Sequence, residues 1–261
     1  MEPYTHCMQA TEQLSLEQAL AYFPEVNQRA TAVLKRLRRV SRLPERPRVV
    51  DIGSAQGNFL VACVHLGCDG VGIEPWDEAR AVAAKVAKRA GVDVAMLEGT
   101  AESLPLESNA YDVVHANSVI EHVLDAEAAF SEAARVLKPG GVFWFSTASS
   151  VCPYQHEIAK FPAFGWYPDA LKQRIMQWAA VARPELIGHT KTPAIHWFTP
   201  WKARRMLREA GFSHVYDRWD LRLPEEGGTL YAFVLRLIKM NALTKLVADI
   251  LVPGCAYAAI K

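Results

Sequence analysis

Val49-Val50-Asp51-Ile52-Gly53-Ser54-Ala55-Gln56-Gly57 is the stretch that decides the fold. Two β-branched residues, an acid and an isoleucine read as a strand, and the small-residue loop that follows runs into Asn58-Phe59-Leu60-Val61-Ala62, the start of a helical pattern. A strand that ends in a glycine-containing turn and feeds a helix lets backbone N–H groups approach a ligand closely. Dinucleotide folds use that geometry for phosphate. Here Asp51 stands two residues before Gly53, at the strand's carboxyl end. An anion there repels a pyrophosphate and suits a cationic amino acid or a ribose. The pattern points to a nucleoside that carries positive charge.

Working outward, residues 15–40 read as a helix interrupted near Pro24, with Ser15 as its N-cap before Glu17 and Gln18. Its basic end (Lys35, Arg36, Arg38, Arg39, Arg42) reads as a solvated face that suits a helix C-terminus, or as a patch for an anionic partner. Strand and helix then alternate: strand 48–53, helix 57–66, strand 69–74, helix 76–90, a short strand 93–97, strand 111–116, helix 125–137 and, after Lys138-Pro139-Gly140-Gly141, strand 142–148. Such alternation predicts parallel βαβ units with right-handed crossovers. It breaks at 149–200, a segment rich in proline and aromatic residues and too long for a plain connection. Thr199-Pro200 then starts a helix that ends at Gly211. Strand 214–221, an apolar helical stretch at 229–252 and a last strand at 255–260 complete the chain.

The 261 residues suffice for one large core, here read as a single domain over 1–261. It divides into an N-terminal helical segment (1–46), a cofactor-binding core (47–148), a cap or acceptor insertion (149–200) and a C-terminal part (201–261). A net charge of +1 gives no argument for nucleic acid. Five cysteines without a C-x-x-C pair read as free thiols in a reducing compartment. The residues after Met1 lack the basic and apolar regions of a secretory signal, so a cytoplasmic location is expected.

With these pieces placed, the chain resembles the class I S-adenosylmethionine-dependent methyltransferases of the type 11 kind. The resemblance is strong over 47–148 and weak over 199–221. It rests on Val50-Asp51-Ile52-Gly53 with Gly57, on Glu74 closing the second strand, and on Gly99-Thr100-Ala101-Glu102-Ser103-Leu104-Pro105. Tyr111-Asp112-Val113-Val114, Ile120-Glu121-His122-Val123 and Leu137-Lys138-Pro139-Gly140-Gly141 continue it. Six signals in this order and spacing outweigh any single glycine loop.

What the resemblance implies is specific. The fold is a Rossmann-like, seven-stranded, mostly parallel α/β sheet with helices on both faces. The cofactor is S-adenosyl-L-methionine, with S-adenosyl-L-homocysteine as product. Gly53 and Gly57 pass beneath it, with Ser54, Gln56, Asn58 and Phe59 along the turn and the helix start. Asp51 lies near the ammonium group or caps the next helix. Glu74 takes the ribose hydroxyls, as an acid some 20 residues downstream does in dinucleotide folds. Pro75 and Trp76 flank the adenine, Thr100, Ala101 and Glu102 border its polar edge, and Asn117 and Ser118 face the sulfonium side. Two departures stand out: Ala55 replaces the usual middle glycine, and Thr100 replaces a frequent carboxylate.

An alcohol nucleophile needs a base, and histidine suits that task. His122 and His196 are the candidates, each also readable as structural, with His156 and His189 behind them. No paired acids of a metal-dependent subgroup are visible, so no metal is expected. The aromatic insertion reads as a packed cap over the acceptor pocket, or as a cation cage. Residues 229–252 read as a helical pair packed on the sheet, or as an interfacial surface in peripheral contact with membrane. The expected activity is methyl transfer to a small-molecule or glycan-like acceptor at a hydroxyl oxygen. Alternatives are N- or C-methylation, a lipid-type acceptor, or a catalytically inactive S-adenosylmethionine-binding module. A nicotinamide oxidoreductase fits poorly with Ala55 and Asp51, RNA lacks a basic groove with stacking aromatics, and a monomer or homodimer is expected.

Overall fold

The computed structural model describes residues 16–187 and 193–261. Ser15, Cys7 and His189 lie outside the described residues.

Seven strands form one sheet: β1 (Arg48–Ile52), β2 (Asp69–Ile73), β3 (Ala95–Leu97), β4 (Tyr111–Asn117), β5 (Leu137–Thr147), β6 (His214–Asp217) and β7 (Cys255–Ile260). Their order is β3-β2-β1-β4-β5-β7-β6, parallel throughout except that β7 runs antiparallel to both neighbours. The central strands are buried on both faces, which is why Val49-Val50 and Val113-Val114 read as apolar runs rather than as alternation. The order reverses between β1 and β4, and crevices outside the carboxyl ends of strands at such a reversal are where ligands bind.

The helices are α1 (Leu16–Val40), α2 (Asn58–His65), α3 (Asp77–Ala90), α4 (Ala126–Val136), α5 (Asp169–Ala182), α6 (Pro200–Glu209), α7 (Arg218–Leu221), α8 (Thr229–Ile238) and α9 (Ala242–Leu251). One face of the sheet is covered by α4 and α6 around Phe130, Phe143, Phe145 and Phe198. The other is covered by α1 and α2, with Leu34 and Leu37 packed among Val49, Val113 and Trp144. Among the described residues no helix is long and apolar enough to cross a membrane.

Four local expectations are corrected. Helix α1 runs through Pro24 without interruption. Proline there forfeits one bond to the Leu20 carbonyl, and burial of Ala30, Val33, Leu34 and Leu37 outweighs that loss. The strand expected over 214–221 stops at Asp217, because Asp217 accepts the N–H groups of Trp219 and Asp220 in a capping box that starts α7. Strand β5 begins at Leu137, with Lys138–Gly141 accommodated as an irregularity in its pairing with β4. The stretch 229–252 is two helices that pack on α7 rather than on the sheet, through Trp219, Leu235 and Ala248.

Candidate active site

The turn after β1 owes its shape to two left-handed glycines. Gly53 has φ +64°, and a Cβ there would come within 2.5 Å of Val119 Cγ2. Gly57 has φ +74°, and its Cβ would come within 2.9 Å of Ala83. The first contact brings the loop after β4 against the loop after β1, which closes the floor of the crevice. Ala55 also sits in the left-handed region, at φ +47°, where a side chain costs about 1–2 kcal/mol. Gln56 is half-buried beside it.

Asp51 is buried, and both its oxygens are engaged. Ser54 Oγ donates to Oδ2 at 2.7 Å, and His115 Nδ1 lies 2.6 Å from Oδ1. A carboxylate only accepts, so His115 carries its proton on Nδ1. The β1–β4 register sets Asp51 opposite His115. The imidazole is held between Phe59 and Trp144, with ring centroids 3.5 and 4.8 Å away and nearly parallel planes. Helix α2 starts at Gly57 without a side-chain cap, so Asp51 is not capping it. Phe59 faces the α1 side of the sheet, and the Asn58 amide donates to the Ala19 carbonyl of α1 at 3.2 Å. Phe59 thus stacks beneath the turn, on the far side of the sheet.

Glu74 follows β2 at the same edge. Its Oε2 accepts the Ala55 N–H at 2.9 Å and its Oε1 the Trp76 N–H at 3.3 Å. Burial pushes the carboxyl above its ordinary range, partly opposed by these two N–H groups. Each oxygen keeps a second lone pair for a hydroxyl donor. Pro75 is exposed and Trp76 half-exposed at the start of α3. Across the crevice Thr100 is exposed and Ala101 buried. Glu102 is directed to the loop after β4, accepting the Leu124 N–H at 2.8 Å. Asn117 Oδ1 accepts the Ser146 hydroxyl at 2.8 Å, and Ser118 is left-handed at φ +55°.

The loop after β4 carries the acid–histidine pair. Glu121 is 3% exposed, and its Oε2 accepts the Thr147 hydroxyl at 2.9 Å. Desolvation raises its carboxyl to about 7, with a smaller push from Glu157. His122 is half-buried next to it. The cap arches over this loop: Ile195 and His196 donate their backbone N–H groups to the Glu121 carbonyl. The His196 ring faces the Val123 and Leu124 carbonyls, and burial lowers its pKa. The cap's two ends are joined by the Phe198 N–H to Ala148 and the Ser150 N–H to Phe198. Its aromatics form a core of their own around Phe164 and Trp197. Within that core Lys172 is buried, paired with Asp169 at 2.7 Å, its ammonium 4.5 Å from the Trp197 ring centre. His156 is exposed. Among the described residues no group of three or more His, Cys, Asp and Glu is arranged to hold a metal ion.

Sequence reasoning missed His115, Val119 and Thr147. His115 was legible in principle, because its place in β4 is fixed by register with Asp51. Val119 and Thr147 carry no chemical signal of their own and enter through packing and a single hydroxyl.

Known proteins bear on this geometry. Residues 50–145 match the family described as a methyltransferase domain. The chain is similar to the ubiquinone biosynthesis O-methyltransferase of Rhizobium etli, with 33% identity over 128 residues, 49% of this chain and 50% of that protein. A second relative, the demethylmenaquinone methyltransferase of Roseiflexus castenholzii, is 26% identical over 67% of this chain and 71% of its own. The match thus spans about half the length of the first of these relatives. In fold, the chain is similar to the phosphoethanolamine N-methyltransferase 2 of Haemonchus contortus, solved with S-adenosyl-L-methionine. That likeness has a TM-score of 0.60 at 16% identity, covering all of this chain and 60% of the other. The seven-stranded sheet has that fold. Its donor set also fits S-adenosylmethionine: a carboxylate with free lone pairs after β2 and a cradle after β1 that a Cβ would fill.

Proposed function

We propose that this protein is an S-adenosylmethionine-dependent methyltransferase whose acceptor is a small molecule methylated at a hydroxyl oxygen. The observation that carries this is the Glu74 carboxylate beside the Gly53–Gly57 turn, at the point where the strand order reverses. When bound there, S-adenosylmethionine supplies a methyl group already activated by a sulfonium, so alignment provides much of the rate. Glu74 would hold the ribose, Trp76 and Ala101 would border the adenine, and Asn117 and Ser118 would border the reacting end. Asp51 acts from below, its carboxylate fixing Ser54 in the turn.

The names of the two quinone-biosynthesis relatives support oxygen as the acceptor atom in the first case and an acceptor with an apolar body in both. The cap adds to that reading, because it is hydrogen-bonded to the loop after β4, where it would exclude water from the reacting groups. A hydroxyl must lose its proton as its oxygen bonds to carbon, and His122 is the base this reading favours. His196 has its ring against the Val123 and Leu124 carbonyls and acts as the brace that holds His122's loop.

Titration calorimetry with S-adenosylhomocysteine should give binding where NAD gives none. A radiolabelled-methyl screen over phenolic and alcoholic acceptors should then find transfer. With an acceptor in hand, His122→Ala should lower kcat by about 10²–10⁴, and His196→Ala should lower stability with turnover per folded molecule retained. Absence of S-adenosylhomocysteine binding would overturn the proposal. Transfer only to amines or carbon acids would overturn the choice of oxygen.

A further inference from the structure

His115 has no part in the chemistry proposed so far, yet it is 2% exposed in the middle of the sheet, a costly place for an imidazole. Strand register sets four residues abreast: Gly72 of β2, Asp51 of β1, His115 of β4 and Trp144 of β5. Residues level with one another in this way share one face of the sheet. The imidazole stacks between Trp144 and Phe59, and its Nδ1 lies 2.6 Å from Asp51 Oδ1. Its Nε2 has no hydrogen-bond partner among the described residues. The polar side of the ring is thus directed at Asp51 alone. A phenyl ring would stack there with no polar group to desolvate, so the feature that histidine adds is the N–H donated to Asp51.

Asp51 passes the constraint on to the turn. Its Oδ2 accepts the Ser54 hydroxyl at 2.7 Å. Gly72 makes room for that bond, since a Cβ there would come within 2.6 Å of Ser54 Oγ. Ser54 then ties the turn down on two sides. Its backbone N–H donates to the Ile73 carbonyl at 3.1 Å, and its carbonyl accepts the Gly57 N–H at 2.8 Å. The next residue, Ala55, holds φ +47°, a conformation that persists only where the surroundings impose it. The hydrogen-bonded row His115–Asp51–Ser54 therefore crosses from β4 to β2 directly beneath the turn.

In the proposed function Glu74, after β2, holds the ribose, and Asn117 and Ser118, after β4, border the reacting end. Strand β1 lies between those two strands, so its turn underlies the sulfur and the amino-acid chain attached to it. We infer that His115 is a positioning residue for the amino-acid end of S-adenosylmethionine, acting through Asp51 and Ser54 on the turn that carries that end. The inference rests on the methyltransferase reading and adds to it a residue that touches neither cofactor nor acceptor.

The test is titration calorimetry with two ligands: S-adenosylhomocysteine, and methylthioadenosine, which keeps the nucleoside and lacks the amino-acid end. His115→Phe keeps a stacked ring and removes the donor. It should weaken S-adenosylhomocysteine about ten-fold, the scale of one hydrogen bond to a charged group, and leave methylthioadenosine within about two-fold of wild type. His115→Asn sets an amide nitrogen where Nδ1 stood and gives up the stack. It should be the less stable of the two variants in urea unfolding, because it leaves a void between Phe59 and Trp144, and still recover most of the S-adenosylhomocysteine affinity. A residue that only packs gives the reverse order. Equal losses for both ligands in His115→Phe, or no loss for either, would overturn the inference. So would a folded His115→Asn that binds S-adenosylhomocysteine no better than His115→Phe does; where His115→Asn does not fold, His115→Phe decides alone. Failure of the methyltransferase reading would show separately, as wild-type protein that binds neither ligand.

Discussion

Replacing Glu121 by glutamine should make the protein more stable at neutral and alkaline pH and leave it unchanged in mild acid. Glu121 is sealed under the cap, 3% exposed, with the Thr147 hydroxyl donating to its Oε2. Desolvation raises its carboxyl to about 7 from an ordinary 4.5. The unfolded chain releases this proton near 4.5 and the folded chain only near 7, so between those values the folded state holds the extra proton. Stability contributed at this site therefore falls as pH rises through that window, and the loss is complete above it. At 1.36 kcal/mol for each tenfold change in proton affinity, the ionised group costs the fold about 3 kcal/mol. Glutamine keeps the shape and can still accept the Thr147 hydroxyl, but carries no charge. Urea unfolding followed by circular dichroism at pH 4.5 and pH 8 should show equal stabilities at the first. At the second the variant should lead by about 3 kcal/mol, or roughly 6–12 °C in Tm. An advantage that is absent at pH 8, or the same size at both, would refute the assignment of a buried charge at this position.

Glu74→Ala should weaken S-adenosylhomocysteine by about 1.5–3 kcal/mol, the scale of a hydrogen bond to a charged group, and calorimetry would show it. Unchanged affinity would remove Glu74 from the ribose. His115→Phe should preserve the stack on Phe59 and Trp144 but strip Asp51 of its Nδ1 donor, leaving a buried carboxylate short of a partner. Chemical denaturation should register a loss of about 1–3 kcal/mol, and a neutral result would mean that the Asp51 contact contributes nothing. Ala55→Gly should release left-handed strain at φ +47° and stabilise the fold by about 1 kcal/mol; a lower melting temperature in scanning calorimetry would contradict that reading of the turn.

The parallel core was legible because its information is local. Each strand ends in its own glycine or acid signal, and a turn such as Gly53–Gly57 admits few side chains. What escaped is set by neighbours distant in sequence. His115 looks like one more residue of an apolar strand until the β1–β4 register puts it against Asp51, 64 positions earlier. Phe59 sits two residues from Gly57 in the chain, yet its ring crosses to the far face of the sheet to stack on that imidazole. The strand expected over 214–221 failed for a related reason: β-branched and aromatic content favoured extension, and Asp217 overrode it by capping a helix on the spot.

The segment 229–252 marks the deeper limit. Its apolar residues run around most of the helix, a pattern that ordinarily means burial on every side. Periodicity reports how much apolar surface a helix offers and says nothing about whether the fold supplies enough partners to cover it. Here α7 provides one tryptophan and the sheet provides nothing, so one face of each helix is covered and the other is left in solvent. An identical pattern in a chain with one more packing layer would be an ordinary core. The distinction lies in the topology: β6 ends after four residues, α7 turns the chain away from the sheet, and the two helices are carried past the edge where their outer stripes have no protein to meet.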